Sequence, residues 1–281
     1  MATIDATLRH ALEISGPDLV LTLDPALQGL PETAHGGSVL AVFDTLSGTT
    51  APREVSGIYR RRVPLGLPLT LRRSREDSVE TFVLSDQAGS ILVDGRVAAL
   101  ASGADHGAPA PPGRNGAGDP LPISRTCFAC GTDNALGLRA RLAFDADSVR
   151  VTWQPRAPFR RADGSLAPAA LTTLLDEAAF WLGALATGES GMTTELRVSL
   201  HRPPPFEAPI TVTGHRASVR ARNEDPRYQE TEIVARAGDH VVATARITFV
   251  VVRGAARRLV AGMLAINDPE CVRRVFPAYA R

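Results

Sequence analysis

A chain of 281 residues, 44% hydrophobic and 22% charged, carries enough apolar mass for one large domain or two average ones, which excludes whole-chain disorder. Its 31 basic and 30 acidic residues leave a net charge of +1, so no field exists that would hold a nucleic acid or an anionic membrane by charge alone. Every basic residue apart from the histidines is Arg; without Lys, Schiff-base chemistry and a Walker A phosphate loop are excluded.

Residues 1–12 carry Asp5 and Arg9 and lack the basic segment and apolar run of a signal peptide. No stretch reaches about 18 consecutive apolar residues, so no membrane span is expected. Three cysteines do not make a disulfide framework, and a reducing cytoplasm is the default location. Two short alternating runs around Ser15-Gly16-Pro17-Asp18 then read as a β-hairpin. In the helix that follows, Val39, Leu40, Val42, Phe43 and Leu46 are apolar nearly all round, which predicts an enclosed helix. About three more strands follow, the last two on either side of Ala88-Gly89.

Residues 102–122 are Gly, Pro and Ala with almost no large apolar side chains and read as a linker. Beyond it the order repeats. Residues 8–25 align without a gap with 138–155, residues 27–44 with 159–176, and residues 54–71 with 195–212; residues 80–100 resemble 230–249. The second helix carries Leu171, Leu174, Leu175, Ala178, Ala179 and Leu182 at helical spacing. This gives a first domain over 1–101, the linker, a second domain over 123–253, and a tail over 254–281 with one short amphipathic helix at 269–276. One enclosed helix per half with an antiparallel sheet predicts an α+β fold in which each sheet curls around its helix.

Gln28-Gly29-Leu30-Pro31, then His35-Gly36-Gly37 and a helix with Asp44 eight residues after Gly36, resembles the hotdog-fold acyl-CoA thioesterases. Cys127-Phe128-Ala129-Cys130-Gly131, with Asn134 and Gly137-Leu138, resembles the C-F-x-C-G opening of one bacterial branch. The resemblance covers residues 8–100 and 126–252. It implies a double hotdog: two antiparallel sheets, each wrapped around one long central helix, joined edge to edge. It also implies sites between the halves, each with a Gln side chain and Gly N–H from one unit and a helix carboxylate from the other. Site one then pairs Gln28, His35, Gly36 and Gly37 with Asp176 as nucleophile or general base. Site two pairs Asp44 with Arg160, Ala167, Pro168 and Ala169. It is degenerate, because Pro168 stands where the donor Gly belongs and proline has no N–H.

The residues support that chemistry without the name. The first N–H groups of a helix have no intrahelical partner and sit at its positive end, which suits an oxygen that becomes negative during attack. Glu177 lies 100° round the helix from Asp176, so only Asp176 is expected in the site. Phe180 and Trp181 either fill an acyl pocket or belong to the core. Arg60 and Arg62, on one strand face, either bind coenzyme A phosphates or form a solvated surface. Cys127 and Cys130 are two ligands short of a structural zinc site, so no metal is expected and the pair reads as a knuckle ordering the second half's entry. The expected activity is hydrolysis of an acyl-CoA or related acyl thioester at one site, with no cofactor beyond the substrate's own coenzyme A, no nucleic-acid or membrane partner, and assembly as a homodimer. The alternatives are a non-catalytic acyl-CoA binder and another hotdog acyl-thioester enzyme, a hydratase or isomerase.

Overall fold

The computed structural model describes residues 3–15, 18–50, 52–100 and 118–279. The first half runs α1 (Ile4–His10), β1 (Leu12–Ser15), β2 (Asp18–Thr22), α2 (Gly36–Ser47), β3 (Arg53–Tyr59), β4 (Pro68–Glu76), β5 (Val79–Ser85) and β6 (Ile91–Ala99). The second runs β7 (Asp119–Pro120), β8 (Ala143–Phe144), β9 (Ser148–Trp153), α3 (Pro168–Thr187), β10 (Gly191–Leu200), β11 (Ile210–His215), β12 (Arg220–Ala221), β13 (Tyr228–Ala237) and β14 (His240–Val251). Helices α4 (Ala256–Leu264) and α5 (Pro269–Val275) complete it. Most of the linker expected at 102–122 lies outside the described residues, and its end is β7, paired with β8.

Four strands follow α2, one more than expected, because the run over 54–71 breaks after Tyr59 into β3 and β4; Asp77 then turns the chain between β4 and β5 at φ 52°. Asp is one of the few residues that enter the left-handed region readily. The strands form one sheet in the order β1-β2-β4-β5-β6-β3-β10-β14-β13-β11-β9-β8-β7, with β12 paired to β13. Read outward from the β3–β10 junction, the halves repeat the same arrangement. At that junction Glu54 faces Ser199 and Ile58 faces Glu195. Glu54 aligns with Glu195 and Ile58 with Ser199, so the two pairs are one pair exchanged, as an isologous twofold contact requires. The bridges Gln28–Ala34 and Thr33–Pro64 recur as Arg160–Leu166 and Ser165–Pro205.

Helix α2 packs on β3 and β6, and α3 on β10, β11, β13 and β14. Val39, Leu40, Val42 and Phe43 are fully buried, and Phe43 stacks on Phe82 with ring centroids 5.0 Å apart. Helix α3 is long and apolar enough to cross a bilayer by length and composition, but 83% of its most apolar window is buried inside the protein. That burial accounts for its composition, since a helix apolar on most sides needs enclosure.

The helices meet where α2 begins. Thr172 Oγ1 donates to Gly37 O at 2.8 Å, and a Cβ on Gly37 would lie 2.4 Å from Thr172 O. The space that glycine frees is therefore taken by the α3 backbone, not left for a ligand. Gly37→Ala should cost about 3 kcal/mol by overpacking and lower the melting temperature by about 6–12 °C. An unchanged calorimetric melt would contradict this crossing.

The tail forms two helices where one was expected; Ala256, Val260 and Met263 are the buried stripe of α4. Asn267 fastens it by accepting from Ile123 N at 2.8 Å and donating to Ile123 O at 2.9 Å. Phe276 packs on Trp181, ring centroids 6.3 Å apart.

Candidate active site

His35 closes the loop into α2 as its N-cap residue. Its ring is held against α3 by two carboxylates: Nδ1 lies 3.1 Å from Asp176 Oδ2 and Nε2 lies 3.3 Å from Glu177 Oε2. Gly37 N donates to Asp176 Oδ2 at 3.0 Å, which places a carboxylate of one half at the positive end of the other half's helix. Thr193, at the start of β10, donates to Asp176 Oδ1 at 2.8 Å. Trp181 Nε1 donates to Glu177 Oε1 at 2.9 Å. Tyr59 donates to Gly36 O at 2.6 Å.

Asp176 and Glu177 are each only 5% exposed. Burial pushes the His35 imidazole down, but its bonds to Asp176 and Glu177, with the charges of Asp176 and Cys127, outweigh this and hold its pKa well above the ordinary value. Protonated, the ring donates from both nitrogens and bridges both carboxylates. Only the neutral ring would let Nδ1 accept the Gly37 N–H 3.2 Å away; with the ring charged, that donor belongs to Asp176. Burial, then the charge of Asp176, pushes the Tyr59 phenol well up, so it stays a donor.

These groups line a cavity of about 110 Å³, several times the ~10–15 Å³ one water needs. His35, Gly36, Tyr59, Asp176, Glu177 and Thr193 form its polar side; Phe180, Trp181 and Met192, with Leu259 and Met263 of α4, form its apolar side. Among the described residues the Gly36 N–H has no protein acceptor. A Cβ on Gly36 would lie 2.7 Å from Asp176 Oδ2, so the carboxylate uses the room that this glycine leaves.

No family model matches the sequence, and no curated protein matches it. Solved structures do. A conserved protein of unknown function with a hot dog fold from Alicyclobacillus acidocaldarius is similar with a TM-score of 0.60 at 14% identity, covering 89% of this chain and 97% of that one. The acyl-CoA thioesterase II TesB2 of Mycobacterium marinum gives 0.53 at 13% identity, covering 86% and 96%. The dehydratase domain of PpsC from Mycobacterium tuberculosis, in complex with C12:1-CoA, gives 0.50 at 15% identity, covering 85% and 96%. This chain is a double hotdog. At these identities the likeness establishes the fold alone.

Within the double hotdog, the residues expected at site one divide. His35, Gly36, Phe180 and Trp181 line the cavity with Asp176, and Gly37 bonds Asp176. Gln28 does not line it. Its Nε2 donates to Thr126 Oγ1 at 2.5 Å and its Oε1 accepts from Glu32 N at 3.2 Å, so its side chain fastens the knuckle to the α2 entry. Glu177, expected to face away, enters beside Asp176 because the ring of His35 spans both positions. Arg60, a candidate for coenzyme A phosphates or a solvated surface, does not line the cavity and pairs with Asp94 at 2.5 Å. β3 ends at Tyr59, so strand alternation does not extend over 60–62; Arg62, as expected, lines the cavity, and Arg61 joins it in place of Arg60. Both are exposed.

At site two Asp44 is locked by Arg53, with Nη2 2.7 Å from Oδ2 and a second bond from Nε to Oδ1. Pro168 opens α3 after Ala167, which makes no side-chain cap bond. Thr193 was not foreseen. The residue after the carboxylate by one helical turn is Phe180, so the hydroxyl comes from a strand 17 residues on in sequence, and no spacing rule links the two. Tyr59 and the α4 residues were missed likewise, because only tertiary packing brings them to the cavity.

Proposed function

We propose that this double hotdog hydrolyses an acyl-CoA or related acyl thioester in the cavity between its halves. The observation that carries the reading is the pairing of Asp176, on α3, with the N-terminus of α2. A thioester carbonyl set against that terminus meets the Gly36 N–H and the positive end of the helix, where charge developing on oxygen is stabilised. Asp176 then acts on the carbonyl carbon as nucleophile, or on a water as general base. Thr193 and His35 orient its two oxygens. Arg61 and Arg62 at the cavity mouth suit the phosphates of coenzyme A, and the apolar wall suits an acyl chain.

A free-thiol release assay over a panel of acyl-CoAs tests this: saturable turnover of at least one supports it. Tight acyl-CoA binding without thiol release would instead favour a binder. That second reading draws on the Gly37 N–H already being engaged by Asp176. Release of no thiol with hydration of an enoyl-CoA would favour the dehydratase chemistry of the fold.

Two further outcomes follow. Thr193→Val removes a hydrogen bond to a charged acceptor, worth about 1.5–3 kcal/mol, and should lower kcat at least about tenfold with little change in KM. The double substitution Arg61→Ala/Arg62→Ala should raise KM for acyl-CoA and leave turnover of a short acyl thioester without the nucleotide unchanged. Equal effects on both substrates would remove the arginines from coenzyme A recognition.

A further inference from the structure

Three ligand-type atoms converge on one face of the cavity. One ligand atom from each of His35, Glu177 and Cys127 lies within 4.8 Å of the other two, and all three residues are buried. They come from three segments: the α2 entry, the knuckle and α3. We propose that His35, Cys127 and Glu177 form a Zn2+ site with its fourth position open to the cavity.

The spacing fits a tetrahedral ion. Zn–N and Zn–O bonds of about 2.0–2.2 Å put an N and an O ligand roughly 3.3–3.5 Å apart; here His35 Nε2 and Glu177 Oε2 are 3.3 Å apart. Cys127 Sγ is 4.0 Å from the same oxygen, about 0.4 Å beyond the ~3.6 Å that a Zn–S bond of about 2.3 Å sets in a tetrahedral site, so the thiolate closes in when the ion binds. The donors are an imidazole, a thiolate and a carboxylate, a combination that suits zinc. Two anionic ligands also balance the charge of the ion, which a buried site requires.

A second set of contacts holds each ligand in place. Binding the ion displaces the Nε2 proton of the charged His35 ring to solvent, while Nδ1–H stays on Asp176 Oδ2 at 3.1 Å, the carboxylate–histidine arrangement that fixes a metal-binding ring. Glu177 presents Oε2 while Oε1 is held by Trp181 Nε1 at 2.9 Å. Cys127 Sγ receives the Ala129 N–H at 3.3 Å, which stabilises a thiolate. Each ligand thus has its remaining polar contact satisfied by a different element.

The sequence counted Cys127 and Cys130 as half a zinc site and found no partners for them. The fold supplies the partners from both halves and uses only one of the two thiols. Cys130 also lines the cavity but stands outside the converging atoms. Three protein ligands and an open position facing a cavity make the arrangement of a catalytic site, not that of a structural four-ligand knuckle.

The test reads metal binding directly and leaves the hydrolysis reading to its own assay. Reduced protein, stripped with chelator, is titrated with Co2+ as the optical probe, then with Zn2+ in competition. The expected result is one Co2+ per chain with a thiolate-to-cobalt absorption band, displaced by one equivalent of Zn2+. Cys127→Ser should abolish the band and weaken Zn2+ binding at least about 100-fold. Glu177→Gln should keep the band and weaken binding by more than the about 10–100-fold that loss of an outer contact to a ligand costs. Cys130→Ser should keep both. Thermal melts identify the folded variants, and any one of the three decides the matter if another does not fold. Absence of stoichiometric binding in the parent protein, a band that survives Cys127→Ser, or a band lost in Cys130→Ser would overturn the site.

Discussion

Asp176→Asn is expected to lower kcat/KM for acyl-CoA hydrolysis by about 10²–10⁴-fold, the usual contribution of a positioned acid–base group. The substitution keeps the shape of the side chain and removes its charge. It should leave the fold intact, because the amide oxygen still accepts the Gly37 N–H, which now bonds Asp176 at 3.0 Å. Glu177 remains to balance His35 at 3.3 Å, and one of two buried like charges is gone. The melting temperature should therefore move little while thiol release collapses. Undiminished release by Asp176→Asn would transfer the reactive role to Glu177, the other carboxylate on the ring.

Asp44→Asn should do the reverse. Asp44 and Arg53 are both buried, with side chains 5% and 10% exposed, and removing one charge strands the other. Breaking a buried pair in this way costs about 3–5 kcal/mol, or roughly 6–20 °C in melting temperature for a chain of this size. Turnover per folded molecule should be retained, since Asp44 faces Pro168 and an arginine, not a free helix N-terminus. The double substitution Asp44→Leu/Arg53→Met should recover most of the stability, because an apolar pair leaves no buried charge. A loss of turnover matching that of Asp176→Asn, with an unchanged melt, would show that site two is active.

Much of the architecture was legible because it is written twice. The gapless match of residues 54–71 to 195–212 carries the β3–β10 junction, and the all-round apolar character of Val39 to Phe43 carries the enclosure of α2. The pairing of Asp176 with the His35-Gly36-Gly37 turn follows from the family resemblance, and the fold brings those residues within bonding distance. What escaped was set by tertiary neighbours. Arg60 was assigned by strand alternation that stops at Tyr59. Glu177 was dismissed by helical angle, although a single imidazole reaches both it and Asp176. Thr193 and the α4 residues meet the cavity only after the sheet has curled and the tail has folded back. The meaning of Cys127 was hidden for the same reason, since its neighbours His35 and Glu177 lie 92 and 50 residues away in sequence.

The central claim is that one site, shared between the halves, holds the reacting carbonyl between the α2 N-terminus and Asp176. A crystal structure with a ketone analogue of acyl-CoA, in which a methylene replaces the thioester sulfur, tests it most directly. The carbonyl oxygen is expected about 2.7–3.1 Å from the Gly36 or Gly37 nitrogen, with the carbonyl carbon facing Asp176 and the phosphates near Arg61 and Arg62. A carbonyl seated instead beside Asp44, Arg53 and Pro168, or bound outside the cavity, would contradict it.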